Sequence, residues 1–237
     1  MSKGFLALAC STLLVFPVLG WGGNESLFKQ GQATSWAVYM RELGGMRAIC
    51  SAIAYKTTPE MTHLLSAGHC FIGSDLKRTD FLVTQDHRSF ANARVEASGL
   101  IVRTGRNLTS RDLDDYSGDD WAVIKAEIGN KPVIPLGSAE SLLIGEDLIM
   151  IGLPFGVDFL AVQGIVGSKD VSLSQLVWNH YYGANIYIAG GNSGTGVIST
   201  KQKALVGIIT AGPGAQSSLA IFLPLHKIPT DKLRLSD

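Results

Sequence analysis

Three short segments carry side chains whose chemistry is complementary: Ser66-Ala67-Gly68-His69-Cys70, Gly118-Asp119-Asp120-Trp121-Ala122-Val123-Ile124, and Gly190-Gly191-Asn192-Ser193-Gly194-Thr195-Gly196. A serine hydroxyl is a weak nucleophile and needs a base within hydrogen-bond reach. Histidine, with an ordinary pKa near 6.5, is neutral yet able to take a proton at neutral pH. A carboxylate beside the ring can hold one tautomer and stabilise the imidazolium as it forms. The small residues around Ser193 let backbone approach a bound group closely. Each segment alone is weak: Gly-Asn-Ser-Gly also makes an ordinary turn, and a lone histidine beside a cysteine is usually structural. All three in the order His, Asp, Ser form a far more specific pattern.

In that order the segments resemble the trypsin/chymotrypsin superfamily of serine proteases, whose members carry a small-Ala-small-His-Cys, an Asp-x-Ala-apolar and a Gly-x-Ser-Gly segment. The order excludes the rival arrangements, which run Asp-His-Ser or Ser-acid-His. The resemblance assigns His69 as base, Asp120 as its partner and Ser193 as nucleophile. The acid is Asp120 rather than Asp119, because Asp120-Trp121-Ala122 fits the pattern and Asp119 would point to the opposite side of an extended strand. Backbone N–H groups of Gly191 and Ser193 are the expected oxyanion donors. Asp114 and Asp115 read as part of a solvated loop.

The segment Gly152-Leu153-Pro154-Phe155-Gly156, followed by Gly164-Ile165-Val166, resembles the HtrA/Deg group within that superfamily, as does Asn192 before the serine. An aspartate at that place in trypsin receives a new N-terminus on zymogen cleavage. Asn192 cannot form that ion pair. The chain departs from the group in lacking its Asp-Ala-Ala-Ile-Asn lead-in to the serine. Thr195 also stands where a second glycine is usual, which bears on the space for the leaving-group side of a substrate.

The same resemblance predicts the walls of a primary specificity pocket: Thr210, Ala211 and Gly212 on one side, and Tyr187, Ile188, Ala189 and Gly190 on the other. Tyr187 either fills the floor or belongs to the core. None of these is acidic, so cleavage after Arg or Lys is not expected, and a small or medium apolar side chain is. The expected partners are protein or peptide substrates, and no cofactor is implied. Two other readings stay open: a catalytically silent or latent binding protein on the same fold, and the same mechanism applied to esters or to one dedicated polypeptide.

The elements that would position these residues are legible as short apolar runs broken by Gly, Asn, Asp and Pro. They include Trp36–Tyr39, Ala48–Ala54, Phe81–Thr84, Val95–Val102 and Trp121–Lys125. The second half adds Leu148–Leu153, Leu160–Val166, Leu176–Trp178, Ala184–Ala189, Gly194–Ile198 and Ala204–Ile209. Their length and β-branched content predict strands, and their spacing predicts an all-β sandwich or pair of barrels. With the resemblance, the expectation is all-β: two chymotrypsin-like six-stranded β-barrels with the active site in the cleft between them. A seam at Gly129–Gly137, with two prolines, would divide an N-terminal barrel (21–130) from a C-terminal one (131–237). The polar stretch Thr104–Asp119 reads as a surface loop, and a short closing helix is expected near Pro224–Ile228.

The remaining features set the compartment and exclude partners. Phe5–Leu19 carries no charge and follows Lys3, which reads as a secretory signal peptide cut after about Gly20. An uncleaved anchor or a buried helix are the alternatives. An extracytoplasmic place, secreted or periplasmic, follows, and there Cys50 and Cys70 are expected to pair, while Cys10 leaves with the leader. With 20 Lys and Arg against 20 Asp and Glu, no charged face points to nucleic acid or an anionic membrane. His63, His87, His180 and His226 lack ligand spacing, so no metal site is predicted. Trp36, Trp121 and Trp178 read as core.

Overall fold

The computed structural model describes residues 24–42, 44–72, 81–102, 116–172, 180–214 and 216–234. The predicted leader with Cys10, the run Leu176–Trp178, and Asp114 and Asp115 lie outside them.

Helix α1 (Glu25–Thr34) leads into the first barrel, built from β1 (Ser35–Glu42), β2 (Gly45–Thr57), β3 (Thr62–Ser66), β4 (Phe81–Thr84) and β5 (Ala91–Ser98). A two-stranded ribbon of β6 (Ile101–Val102) and β7 (Tyr116–Ser117) follows, and β8 (Ala122–Ala126) closes the barrel in the order β1-β2-β3-β8-β5-β4. The second barrel runs β9 (Asp147–Gly152), β10 (Leu160–Val171), β11 (Tyr181–Ala189), β12 (Gly196–Ser199), β13 (Ala204–Ala211) and β14 (Gln216–Pro224). It closes as β10-β11-β14-β13-β12-β9. All pairings in both barrels are antiparallel, so the expected two six-stranded barrels are present.

Several strands read as unbroken apolar runs because both of their faces are buried. On β2, Ala52 and Ala54 point into the first barrel, while Ile53 and Tyr55 pack against the second. On β14, Ala220 and Phe222 fill the second barrel, and Ile221 and Leu223 face the first. Three apolar cores result, one inside each barrel and one between them. The last gathers Ile53, Leu65, Val123, Ile149, Tyr181, Ile208 and Leu223. Trp36 and Trp121 are core residues, at 2% and 5% exposure.

The connection around Gly129–Gly137 is stitched to both barrels. The Ile134 N–H donates to the Ala54 carbonyl at 3.0 Å, and the Gly137 N–H to the Leu205 carbonyl at 2.7 Å. The predicted closing helix is a 3-10 turn (Leu225–Lys227) followed by α2 (Thr230–Leu233). Strands β3 and β14 and helix α1 were not predicted. In α1 only Leu27 and Phe28 are large and apolar, and Gly31 lowers its propensity. Gly31 is there because Ile151 of β9 lies against it. Among the described residues no helix is long and apolar enough to cross a membrane.

Candidate active site

His69 sits in a 3-10 turn (Gly68–Phe71) after β3, and Asp120 precedes β8, so one barrel supplies both. Ser193 lies on the turn between β11 and β12 of the other. The three meet at the inter-barrel seam. The Asp120 carboxylate is fully buried and receives two hydrogen bonds from His69, from its backbone N–H and from Nδ1, both at 2.7 Å. His69 Nε2 is 2.9 Å from Ser193 Oγ. An ionised carboxylate only accepts, so the ring proton belongs on Nδ1 and Nε2 keeps its lone pair for the hydroxyl. Burial by itself would depress the His69 pKa. The Asp120 charge and its hydrogen bond outweigh that, and the pKa stands above its ordinary 6.5.

Asp119, beside Asp120, is half-buried. Its carboxylate pairs with Lys227 at 3.3 Å and hydrogen-bonds the hydroxyl of Tyr181. That hydroxyl in turn accepts the Asp120 backbone N–H at 2.9 Å. Tyr181 is fully buried on β11, so this network reaches from the second barrel to the backbone of the residue that orients His69. Sequence reasoning missed it, because nothing local links positions 119, 181 and 227.

The turn carrying Ser193 is held through its carbonyls. Gly190 C=O accepts the Phe155 N–H at 2.5 Å, Gly191 C=O the Ser51 hydroxyl at 2.9 Å, and Ser193 C=O the Ser51 N–H at 2.8 Å. Within the turn the Asn192 N–H donates to the Ala189 carbonyl and the Gly194 N–H to that of Ile209. Among the described residues the N–H groups of Gly191 and Ser193 have no acceptor. A trans peptide sets N–H opposite C=O, so the Gly191 N–H points away from Phe155. Gly191 has φ +97° and Gly194 φ +82°, a region that glycine alone enters without strain. Phe155 also stands at positive φ, +56°.

A cavity of about 120 Å³ beside Ser193 is lined by Ile188, Ala189, Gly190, Ile209, Ala211, Gly212 and Gly214, together with Asn192 and Ser193. Five of the seven predicted wall residues line it. Tyr187 neither fills its floor nor lies in the core, because alternation along β11 turns the ring outward, 42% exposed, with its hydroxyl 3.4 Å from Gln216. Thr210 faces inward and donates to the Ile221 carbonyl at 3.3 Å. Thr195 is buried against Gly152 and lines none of the clefts at Ser193. Two further clefts of about 260 Å³ adjoin, one lined by His69, Ser193, Cys50, Cys70, Met40 and Arg47, the other by Ala48, Leu153, Phe155, Gly190 and Gly191. A further cavity, about 450 Å³ beside α1, shares no described residue with the site.

Cys50 of β2 and Cys70, next to His69, form a disulfide with Cα atoms 6.3 Å apart. Cys50, His69 and Cys70 are also the only cluster of metal-type ligands among the described residues, and its two sulfurs are joined to each other.

Two closed antiparallel barrels with a His-Asp-Ser cluster at their seam define the trypsin-like class. The chain belongs to the trypsin-like peptidase domain family, whose model matches residues 50–208. Among its relatives are two proteins named probable periplasmic serine endoprotease DegP-like. That of Hahella chejuensis is 30% identical over 172 residues, which are 67% of this chain and 36% of the relative. That of Pseudomonas putida is 30% identical over 152 residues, 61% of this chain and 32% of the relative. The chain thus spans about a third of the length of these relatives. Among solved structures it is similar in fold to the HtrA-type protease AlgW with decapeptide, at TM-score 0.68 and 18% identity, over 88% of this chain and 67% of the other. The same protease with tripeptide gives 0.64 and 20%, over 84% and 59%.

Proposed function

We infer that the chain is a serine endopeptidase that hydrolyses peptide bonds through an acyl-enzyme, with His69, Asp120 and Ser193 as its triad. The observation that carries this is the continuous relay from Asp120 through His69 to Ser193 Oγ, at 2.7 and 2.9 Å, in a chain of this family. Ser193 Oγ attacks the scissile carbonyl while its proton passes to His69 Nε2. Asp120 stabilises the imidazolium without taking the proton. The N–H groups of Gly191 and Ser193 receive the oxyanion, an effect worth about 3 kcal/mol per donor. Collapse expels the amine with the proton from His69. Water, deprotonated by the same ring, then attacks the ester and frees Ser193.

The 120 Å³ cavity supports a small or medium apolar side chain before the scissile bond. Its described lining holds no charge to pair with Arg or Lys, and Ile188 and Ile209 make it apolar. The substrates are peptides or proteins, a class consistent with the tripeptide and decapeptide of the structural neighbours. The place of action is outside the cytoplasm. The apolar segment behind Lys3, the Cys50–Cys70 disulfide and the naming of the relatives as periplasmic all support that.

Labelling by a fluorophosphonate tests the reading. Wild-type protein is expected to label, Ser193→Ala not at all, and His69→Ala far more slowly. Peptide-library cleavage after Ala or Val, and not after Lys or Arg, is the expected specificity. Well-folded wild type that fails to label between about pH 6 and 9, where His69 becomes neutral, would instead favour a silent or latent binding protein.

A further inference from the structure

The Ser51 hydroxyl touches no part of the triad, yet every group it binds belongs to the backbone that directs the Gly191 and Ser193 N–H groups. It lies on β2 of the first barrel and is fully buried. Its Oγ accepts the Leu153 N–H at 3.0 Å and donates to the Gly191 carbonyl at 2.9 Å. Its backbone N–H donates to the Ser193 carbonyl at 2.8 Å, and its own carbonyl accepts the Ser66 hydroxyl at 2.7 Å.

The direction of the central pair is forced. An amide N–H can only donate and a carbonyl can only accept, so the single hydroxyl proton must lie on the Gly191 side. Both peptides flanking Gly191 are then tied to one oxygen atom. The 191–192 peptide is held directly, by its carbonyl. The 190–191 peptide is held at one remove, because Ser51 anchors Leu153, and two residues on the Phe155 N–H binds the Gly190 carbonyl. Phe155 makes that bond from a left-handed conformation, φ 56° and ψ 12°. A non-glycine residue persists there only where its surroundings over-determine it. Gly191, at φ +97°, has no side chain to hold it, so its orientation depends on these bonds.

We propose that Ser51 is a positioning residue for the oxyanion donors, locking the Gly191 amide of the second barrel from the first barrel through its hydroxyl. The proposal rests on the protease reading above. It also means that the seam between the barrels must be closed before the oxyanion site is formed, and not only before His69 meets Ser193.

The test compares Ser51→Ala, Ser51→Val, Ser51→Thr and Ser66→Ala with wild type. The probes are fluorophosphonate labelling and hydrolysis of an N-acetyl-alanine p-nitrophenyl ester. Val and Thr have equal size and differ only in the hydroxyl, so their comparison stands even where the alanine variant does not fold. Loss of a whole oxyanion donor costs about 10²- to 10³-fold in kcat, so a donor left loose is expected to cost about 10- to 100-fold. Ser51→Ala and Ser51→Val should therefore lose about that factor in kcat and labelling rate. Their KM should stay within about twofold, the pattern of an interaction made in the transition state, and the acidic limb of the pH profile should not move, because His69 is untouched. Ser51→Thr should recover most of the rate. Ser66→Ala removes a neighbouring buried hydroxyl and should lower the melting temperature with kcat near wild type.

Folded Ala and Val variants at wild-type rate, or equal losses in Val and Thr, overturn the assignment while leaving the protease reading intact. A change confined to KM does the same. A folded wild type that does not label overturns the protease reading and this proposal with it.

Discussion

Asp120 is enclosed on every side, and both of its carboxylate oxygens are spent on one residue, His69. That arrangement fixes the imidazole tautomer and raises its pKa, with consequences for the pH profile. His69 must be neutral to accept the Ser193 proton, so the acidic limb of kcat/KM is expected at a pKa above 6.5. In Asp120→Asn the two raising influences vanish and burial, which lowers the pKa, remains. The limb should then move to lower pH, while kcat falls by about 10⁴-fold because the wrong tautomer is favoured. A pH series of p-nitrophenyl ester hydrolysis on both proteins checks this. A limb that stays in place would mean that Asp120 does not govern His69.

Among the elements, the turn from Gly190 to Gly194 depends most on its sequence. Two of its glycines have positive φ, and a side chain on Gly191 would run into the Leu153 carbonyl. Gly191→Ala is therefore expected to swing or tilt the peptide that carries one proposed oxyanion donor. Labelling and kcat should drop by about 10²-fold or more, and the melting temperature should fall as well, because the clash is with backbone at positive φ. Differential scanning fluorimetry beside the kinetic assay separates the two effects. A variant that keeps its rate would remove Gly191 from the mechanism. The 3-10 turn holding His69 is secured in a different way, by the Cys50–Cys70 disulfide and by the bond from its own backbone to Asp120.

Across the whole molecule, Ser193 and His69 belong to different barrels, and the apolar core between the barrels determines whether they meet. Ile53 lies at its centre, 1% exposed, beside Gly196 at the start of β12. Ile53→Ala leaves a cavity between the barrels and should destabilise the fold by about 2–5 kcal/mol. The labelling rate should fall already at temperatures well below the melt, because the seam loosens before either barrel opens. Thermal melts combined with labelling at several temperatures test this. Loss of labelling only where the protein unfolds would show that the two barrels do not move independently.

The residues of the candidate site were legible from the chain alone because the residues next to each of them are constrained locally. Gly191 and Gly194, on either side of Ser193, are required by positive φ, and the small residues before His69 and the alternation after Asp120 follow from one turn or one strand. The barrels were legible for a similar reason, since turn residues and β-branched runs report local backbone preference. Strand β3 was missed because Thr62-His63-Leu64-Leu65-Ser66 mixes polar and apolar residues at buried positions. Its polar groups are tolerated where folded neighbours pair with them: Thr62 bonds the Ile128 carbonyl and Ser66 that of Ser51. Tertiary structure alone brought Lys227, Asp119 and Tyr181 behind Asp120 and set Ser51 beneath Gly191. These hydrogen bonds and ion pairs join positions 61 to 140 residues apart, and a hydroxyl or carboxylate carries no local mark of which distant group it will meet. That choice is made only when the barrels close on each other and buried polar groups are driven to find partners.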